Sequence, residues 1–550
     1  MTTVQLPAEL WMIVISYIED IKGLLYLATF SRNLYQPCLT QFLVNLGNVD
    51  PTRSITVHVS RTADKPCDAF TALRLPFFMD ETEELICTIP GSDALLLSRV
   101  TRLQSAVSRL RRMKRVVLTF PGLFKTVQAD NETLRRWSDT FSLLLNSIVE
   151  RGCESVEVHG LTEMTDCYRL VNRVFRKRGT SSGWPWLASL WRGITQGPTN
   201  MLDQEDVMDM GLSSFERHRI LPPDPYSTMA PRLTLPPNAD VEVARLSKSA
   251  RANTQLTHIV IASMSLINPP LLQWLHSVML ASPIESLTVS NLTPYNEGGF
   301  AWSFFCKLAL ISVPNLKRIA VTSLSLRSFT EFNTWLSSFN DLMSLEISRI
   351  VLPWSYPLSA DRPMSFIFPN ITLLCVSTVW LEASAQPDLA AQFPQLKKLE
   401  LGFEQYTFRN LTQGWIIHDM LVSMTQSHRQ GQLPFTVALR HSGQPLEIYR
   451  DMAHTAGMEE WGGCVTGIVL GIEKTRQDYR FDDSIDIGMR LKAWTGKFKN
   501  LSTLRIVPAF PNKPVSVDAS RHFGDAHVPA SVIKRLELFE VNGVAKRTDN

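Results

Sequence analysis

Six times between residues 256 and 401 the chain repeats one arrangement of apolar and variable positions. An apolar residue is followed by two variable positions, a second apolar residue, one variable position and a third apolar residue. The copies are Leu256-x-x-Ile259-x-Ile261, Ile284-x-x-Leu287-x-Val289, Leu316-x-x-Ile319-x-Val321, Leu342-x-x-Leu345-x-Ile347, Ile371-x-x-Leu374-x-Val376 and Leu396-x-x-Leu399-x-Leu401. Their second apolar residues fall at 259, 287, 319, 345, 374 and 399, at spacings of 25 to 32 residues. Alternation over the last three positions predicts a strand whose apolar residues share one face. The intervening Thr288, Ala320, Glu346 and Glu400 face the other way. Further copies are read at Leu501-x-x-Leu504-x-Ile506, Ile533-x-x-Leu536-x-Leu538 and Val465-x-x-Ile468-x-Leu470. Met113-x-x-Val116-x-Leu118 and Cys153-x-x-Val156-x-Val158 extend the series toward the N-terminus.

Between the strands the spacing of apolar residues predicts helices over 271–280, 301–311, 329–339 and 388–393. Upstream, 53–59 alternates as a strand. Leu96, Val100, Leu103, Val107 and Leu110 predict a helix over 93–115, Val116–Phe120 a strand, 131–150 a helix and 155–158 a strand. Strand and helix in alternation predict an α/β architecture. A unit of this kind has an apolar face that it cannot bury alone, so the units must stack.

The first forty residues follow a different rhythm. Leu10, Ile13, Val14, Tyr17 and Ile18 recur at helical spacing after Leu6-Pro7, and Asp20 to Gly23 interrupt them. Leu24, Leu25, Leu27, Ala28 and Phe30 form a second apolar face, and Leu34, Tyr35 and Leu39 begin a third. Three helices this short bury little area alone, so a partner or the rest of the chain must cover them. Residues 179–255, with Trp184-Pro-Trp186 and Leu221-Pro-Pro-Asp-Pro225, read as an irregular Pro-rich insertion or linker. The organisation expected is therefore a helical segment over 1–45, first α/β repeats over 46–178, the insertion over 179–255 and further repeats over 256–550.

Two resemblances sharpen this picture. Leu6-Pro7-Ala8-Glu9-Leu10, Val14-Ile15-Ser16-Tyr17-Ile18, Leu24-Leu25, Leu27 and Ser31-Arg32 resemble the F-box family. Asn33-Leu34-Tyr35 stands where that family carries a bulky aromatic after the Ser-Arg step. The repeats resemble the leucine-rich repeat family, whose period is about 20–29 residues. They depart from it where the family places Asn or Cys, because Met264, Leu292, Leu324, Ile350 and Val379 occupy that position. The backbone groups there need other partners.

Together the resemblances imply a small helical F-box followed by an irregular solenoid, a horseshoe with parallel strands on its concave face and helices on its convex face. They imply a non-catalytic substrate receptor of an SCF-type cullin ubiquitin ligase. Leu6, Pro7, Leu10, Ile15 and Leu24 would meet a Skp-family adaptor, itself bound to the cullin scaffold. His258, Thr288, Arg318, Glu346, Lys398 and Glu400, on the concave face, would meet an unknown protein substrate. The alternative is an interaction scaffold unrelated to ubiquitin, with the first helices acting only as a cap.

Composition adds exclusions. In 550 residues, 55 Lys and Arg oppose 52 Asp and Glu, a net +3, which is too balanced for the basic stripe that nucleic-acid binding requires. The basic runs Arg109–Arg115 and Arg173–Arg178 read as solvated faces, the first at the end of a helix. No uncharged run reaches the ~20 residues that span a bilayer, and Met1 to Tyr17 lacks a basic leader, so cytoplasm or nucleus is expected. The eight cysteines form no CxxC pair and read as buried free thiols. No phosphate-binding loop, nucleophile elbow, HExxH or zinc-type cysteine pairing occurs, so neither catalyst, metal nor cofactor is expected. A hydrolase built from dispersed Ser, His and Asp is the third reading.

Overall fold

In the computed structural model the alternating apolar positions of the strands whose burial is described line up in buried rows. The structure describes residues 7–58 (save 31, 49 and 52), 81–89, 93–120, 131–160, 255–267, 271–292, 299–324, 326, 329–350, 366–377, 380, 381, 384, 389–403, 436–442, 465–472, 500–508, 538–541 and 544–546. The predicted insertion lies outside them save for Gln255, as do Leu6, the tryptophans near 184 and the basic run at 173–178. The chain divides into two compact units, Met1–Leu316 and Lys317–Asn550.

The first unit begins with three helices, α1 (Ala8–Ser16), α2 (Ile21–Phe30) and α3 (Arg32–Asn45). Strands β1 (Ser54–His58), β2 (Glu81–Thr88), β3 (Arg112–Phe120), β4 (Ser155–Gly160), β5 (His258–Ala262) and β6 (Ser286–Leu292) follow. Helices α4 (Asp93–Val107), α5 (Asn131–Glu150), α6 (Leu271–Ala281) and α7 (Gly299–Ser312) belong to the same unit. Each strand pairs in parallel with the next one in chain order. The register aligns Ile55, Leu85, Val116, Val156, Ile259 and Leu287 in one row, all buried. Val57, Cys87, Leu118, Val158, Ile261 and Val289 form a second buried row, two residues on. Each such aliphatic side chain contributes roughly 1.5–3 kcal/mol by leaving water.

The second unit carries β7 (Arg318–Leu324), β8 (Ser344–Ser348), β9 (Leu373–Ser377), β10 (Lys398–Phe403), β11 (Thr436–Ser442), β12 (Val465–Ile472), β13 (Thr503–Pro508) and β14 (Leu538–Val541). These too pair in parallel in chain order. A last strand, β15 (Val544–Lys546), turns back antiparallel on β14. Helices α8 (Phe329–Ser337) and α9 (Leu389–Gln392) lie between strands of this unit. The protein is thus α/β with parallel strands stacked in sequence order.

The stacking has a recurrent hydrogen-bond joint. Just before a strand, two successive amides share one carbonyl of the preceding rung. Thr257 and His258 donate to Glu154 O, Glu285 and Ser286 to Thr257 O, and Thr372 and Leu373 to Met343 O. Lys397 and Lys398 donate to Thr372 O in the same way. The turn after the strand also recurs. Gly160, Asn291, Ser323 and Arg349 each stand two residues beyond the second buried strand position, and each has a positive φ of 82°, 54°, 57° and 53° in turn. At Gly160 a Cβ would lie 2.3 Å from the Phe120 carbonyl oxygen, so only glycine fits. The turn returns the next apolar side chain inward: Leu292, Leu324 and Ile350 are buried.

These positions answer the question raised by the missing asparagine. At β5 the Ser263 hydroxyl accepts the Ser265 amide at 3.3 Å, and at β9 the Ser377 hydroxyl accepts the Trp380 amide at 3.4 Å. Serine oxygens and left-handed turns serve where an amide side chain was expected.

One predicted element is corrected. The helix expected over 93–115 ends at Val107, and residues 112–115 belong to β3. Leu110 keeps helical spacing and is buried, but pairing of Arg112–Arg115 with Glu81–Glu84 wins the segment for the sheet. The basic run there therefore leads into the start of β3 and is not a helix C-terminus.

The predicted insertion does not interrupt the ladder. Thr257 Oγ1 donates to Glu154 O across 103 residues of chain, and β4 pairs directly with β5.

Candidate functional site

Two surfaces carry exposed or charged side chains in quantity: the N-terminal helices and the polar rows of the strands in each unit. In α1, positions 10–15 read Leu-Trp-Met-Ile-Val-Ile, apolar around the whole helix. A short helix packed on one side buries only one stripe of such a run. Ile15 takes that place at 2% exposure, while Leu10, Met12, Ile13 and Val14 stay open and Tyr17, at the C-cap, is 81% exposed. On α2, Leu24 and Ala28 are buried, whereas Tyr26 and Phe30 are exposed and stack on each other at 6.3 Å. The interior is completed by Leu34, Cys38, Leu39, Phe42 and Leu43 of α3.

Polar contacts hold this arrangement. Asp20 caps α2, accepting the amides of Lys22 and Gly23 at 3.0 Å. Asn45 on α3 donates to the Ile18 carbonyl at 2.9 Å. Beyond α3, Asn48 is buried and bridges to the sheet, donating to Leu43 O at 3.0 Å and accepting the Thr56 amide. The adaptor-contact set expected from sequence therefore divides. Pro7 and Leu10 are exposed; Ile15 and Leu24 belong to the interior and are corrected to packing residues; Leu6 is outside the described residues. Met12, Ile13, Val14, Tyr17, Tyr26 and Phe30 join Leu10 in the open apolar set. The signal for them was present, since α1 carries more apolar side chains than one packed stripe can cover.

In the first unit a charged network crosses four strands, β1 to β4. Arg115 on β3 donates to Glu84 on β2 at 2.6 Å and to Glu157 on β4 at 3.0 Å. Ser54 on β1 donates to the other Glu84 oxygen at 3.1 Å, and His159 Nε2 pairs with the second oxygen of Glu157. The His159 hydrogen bond and then Arg115 hold the Glu157 carboxyl below the usual carboxylate range, against its partial burial. Glu157 in turn raises the Arg115 guanidinium. Alternation alone places Arg115 and Glu157 on this face; their convergence needs the register Arg115↔Ser155.

Of the six residues expected to line a substrate face, His258 and Thr288 stand in the first unit. His258 aligns with Ser155 and Ser286, and Thr288 with Val260. The other four stand in the second unit in two rows. One row runs Arg318, Ser344, Leu373, Lys398; the next runs Ala320, Glu346, Cys375, Glu400. Arg318 and Lys398 are exposed, Glu346 and Glu400 half-buried, and Arg318 pairs with Glu346 at 3.5 Å.

Buried polar groups serve structure. Asn333 on α8 is fully buried, accepts Trp380 Nε1 at 3.0 Å and donates to Ser384 Oγ at 3.2 Å. In the first unit Trp274 donates to Asn146 at 3.0 Å. Burial pushes the Cys153 thiol up to about 12 and raises Cys87 too, so neither is a thiolate at neutral pH. Among the described residues no cluster of three or more His, Cys, Asp or Glu is placed to hold a metal ion, and no helix is long and apolar enough to cross a membrane. What the two surfaces offer chemically is recognition: an apolar patch, and a polar face with fixed charges. No family model and no curated protein matches the sequence.

Proposed function

We propose that this chain is a substrate receptor of an SCF-type cullin ubiquitin ligase. Its N-terminal helices, read as an F-box, dock a Skp-family adaptor. The polar row of an irregular leucine-rich solenoid takes a protein substrate. The observation that carries the reading is the exposure of Leu10, Ile13, Val14 and Tyr17 on α1 and of Tyr26 and Phe30 on α2, in a cluster already closed by Ile15, Leu24 and α3. A small helical unit with its core complete has no internal use for six large apolar side chains in water, and such patches mark interaction sites. Parallel strands added in chain order, with two buried apolar positions on each of β1 to β10, support the solenoid part. The chain itself does no chemistry on this reading: it holds a target lysine near a ubiquitin-loaded enzyme supplied by other subunits.

The test is co-purification of the full-length chain with a Skp-family adaptor and a cullin. The wild type is expected to capture both. Leu10→Asp with Val14→Asp is expected to abolish capture with an unchanged melting temperature. A wild type that captures no adaptor, or a double variant that captures it normally, overturns the reading.

A second reading has its own support. Asn48 ties α3 to the backbone of β1, the first strand of its sheet. A scaffold unrelated to ubiquitin, with the helices as an end cap that shields an open strand edge, accounts for that contact. On this reading the helices contribute to stability and capture no adaptor.

A further inference from the structure

In the second unit, two neighbouring rows across β7 to β10 carry opposite charge. Cations stand in the first row on β7 (Arg318) and on β10 (Lys398), with the exposed Lys397 beside the latter, and the row runs on to Thr436 of β11. Between them lie the half-buried Ser344 and Leu373. Two residues further along the strands come Glu346 and Glu400.

We infer that this row binds an extended acidic peptide whose two carboxylates are four residues apart, with an apolar side chain midway. The inference rests on the proposal that the polar face meets a protein substrate, and it names the class of that substrate. Three facts of geometry lead to it. Arg318 and Lys398 are separated by three strand-to-strand steps, roughly 14 Å at ~4.8 Å each. An extended peptide advances about 14 Å in four residues, and its residues i, i+2 and i+4 point to one side. Carboxylates at i and i+4 thus meet the two cations while residue i+2 lies over the Ser344–Leu373 stretch.

The second row decides against a polyanion of phosphates. Glu346 and Glu400 lie roughly 7 Å from the cationic row, within a Debye length at physiological salt. A nucleic-acid backbone carries charge at every unit and would meet these carboxylates too. A peptide places neutral or basic residues there. Arg318 already shares its charge with Glu346 at 3.5 Å, so an incoming carboxylate completes a pair of acceptors on one guanidinium, as Glu84 and Glu157 do on Arg115 in the first unit.

The probe is a fluorescein-labelled peptide of sequence Ser-Glu-Ser-Leu-Ser-Glu-Ser, titrated with the full-length protein at low salt and followed by anisotropy. Saturable binding is expected, weakened about tenfold by Lys397→Glu with Lys398→Glu, a change of about 1.4 kcal/mol. Glu346→Gln is expected to tighten binding by about twofold through loss of repulsion. A version with the two Glu four positions apart moved to adjacent positions should bind more weakly. The inference is overturned by equal binding of the Gln-for-Glu peptide, by indifference to the lysine reversals in a protein that melts normally, or by tighter binding of a single-stranded oligodeoxythymidine that displaces the peptide. Adaptor capture, measured on the same lysine variant, keeps the two proposals apart: capture retained with peptide binding absent from the wild type removes the peptide site alone.

Discussion

The backbone amide of Thr56 donates to the side-chain oxygen of Asn48 at 2.5 Å, although one residue begins the parallel ladder and the other follows the helices. Asn48 is 4% exposed and its amide also donates to Leu43 O. Asn48→Ala leaves the half-buried Thr56 N–H without its acceptor, at a cost of about 1–3 kcal/mol when no water replaces the side chain, whereas Leu43 O keeps the backbone amides of Leu46 and Asn48. A lower urea midpoint, with earlier loss of helical signal than of sheet signal, is the expected outcome.

Burial separates residues that a sequence motif treats alike. Leu24 is 0% exposed and Phe30 is 77% exposed on the same helix. Leu24→Ala should cost about 2–5 kcal/mol, while Phe30→Ala should shift stability by less than about 0.5 kcal/mol. Chemical denaturation of both variants checks the division between core and open face.

The recurrent left-handed turn predicts substitutions of opposite sign. Gly160→Ala places a Cβ against the Phe120 carbonyl and should destabilise by roughly 2–4 kcal/mol. Ser323→Gly relieves a positive φ of 57°. Relief of about 1–2 kcal/mol is partly offset by greater freedom of the unfolded chain, about 0.4–1 kcal/mol. A small rise in melting temperature is expected for Ser323→Gly and a large fall for Gly160→Ala.

Acid should find the charged row of the first unit. The Glu157 carboxyl is held below its ordinary range, first by His159 and then by Arg115. A depressed folded-state pKa gives stability that is present above the unfolded value, about 4.3, and is lost as pH falls through the folded value. Urea midpoints measured downward from pH 6 should therefore decline below about pH 4.3. Glu157→Gln should remove this part of the decline and lower stability at pH 6. A Gln variant with the wild-type acid profile would contradict the assignment.

In the second unit, Asn333→Leu keeps much of the volume but leaves Trp380 Nε1 without its acceptor. A buried indole N–H left unpaired costs about 1–3 kcal/mol. Trp380→Phe in the same background removes the orphaned donor, so the double variant should be more stable than the sum of the two single losses predicts. A double-mutant cycle by urea denaturation measures the difference.

Much of the strand layout was legible because the apolar positions have a period that only a half-buried strand satisfies. Ile259, Leu287, Ile319, Leu345, Leu374 and Leu399 all face the core, as their spacing implies. Helix α5 spans Asn131–Glu150, the predicted range, because its apolar residues keep helical spacing over that length. The strands β2 and β11 were not read: Glu81–Thr88 begins with charge and lacks the full triplet, and Thr436–Ser442 has only Val437 and Leu439. What periodicity does not reveal is register. The meeting of Arg115 with Glu84 and Glu157, and the rows of Arg318 with Lys398, come from which residue pairs with which on strands tens of residues apart. Exposure on the helices was equally hidden, since an all-apolar run does not say which stripe is buried.

The direct pairing of β4 with β5 has a bearing on how this chain can change. A loop closed over 103 residues costs only about 1 kcal/mol more in closure entropy than one of the ordinary repeat length, because the cost grows with the logarithm of length. The joint between Glu154 and Thr257 is the same as at later rungs, so the ladder does not register how much chain passes between them. Closure entropy therefore sets little limit on the length of chain between Gly160 and Gln255, so chains that share these rungs can differ in length there without loss of this joint.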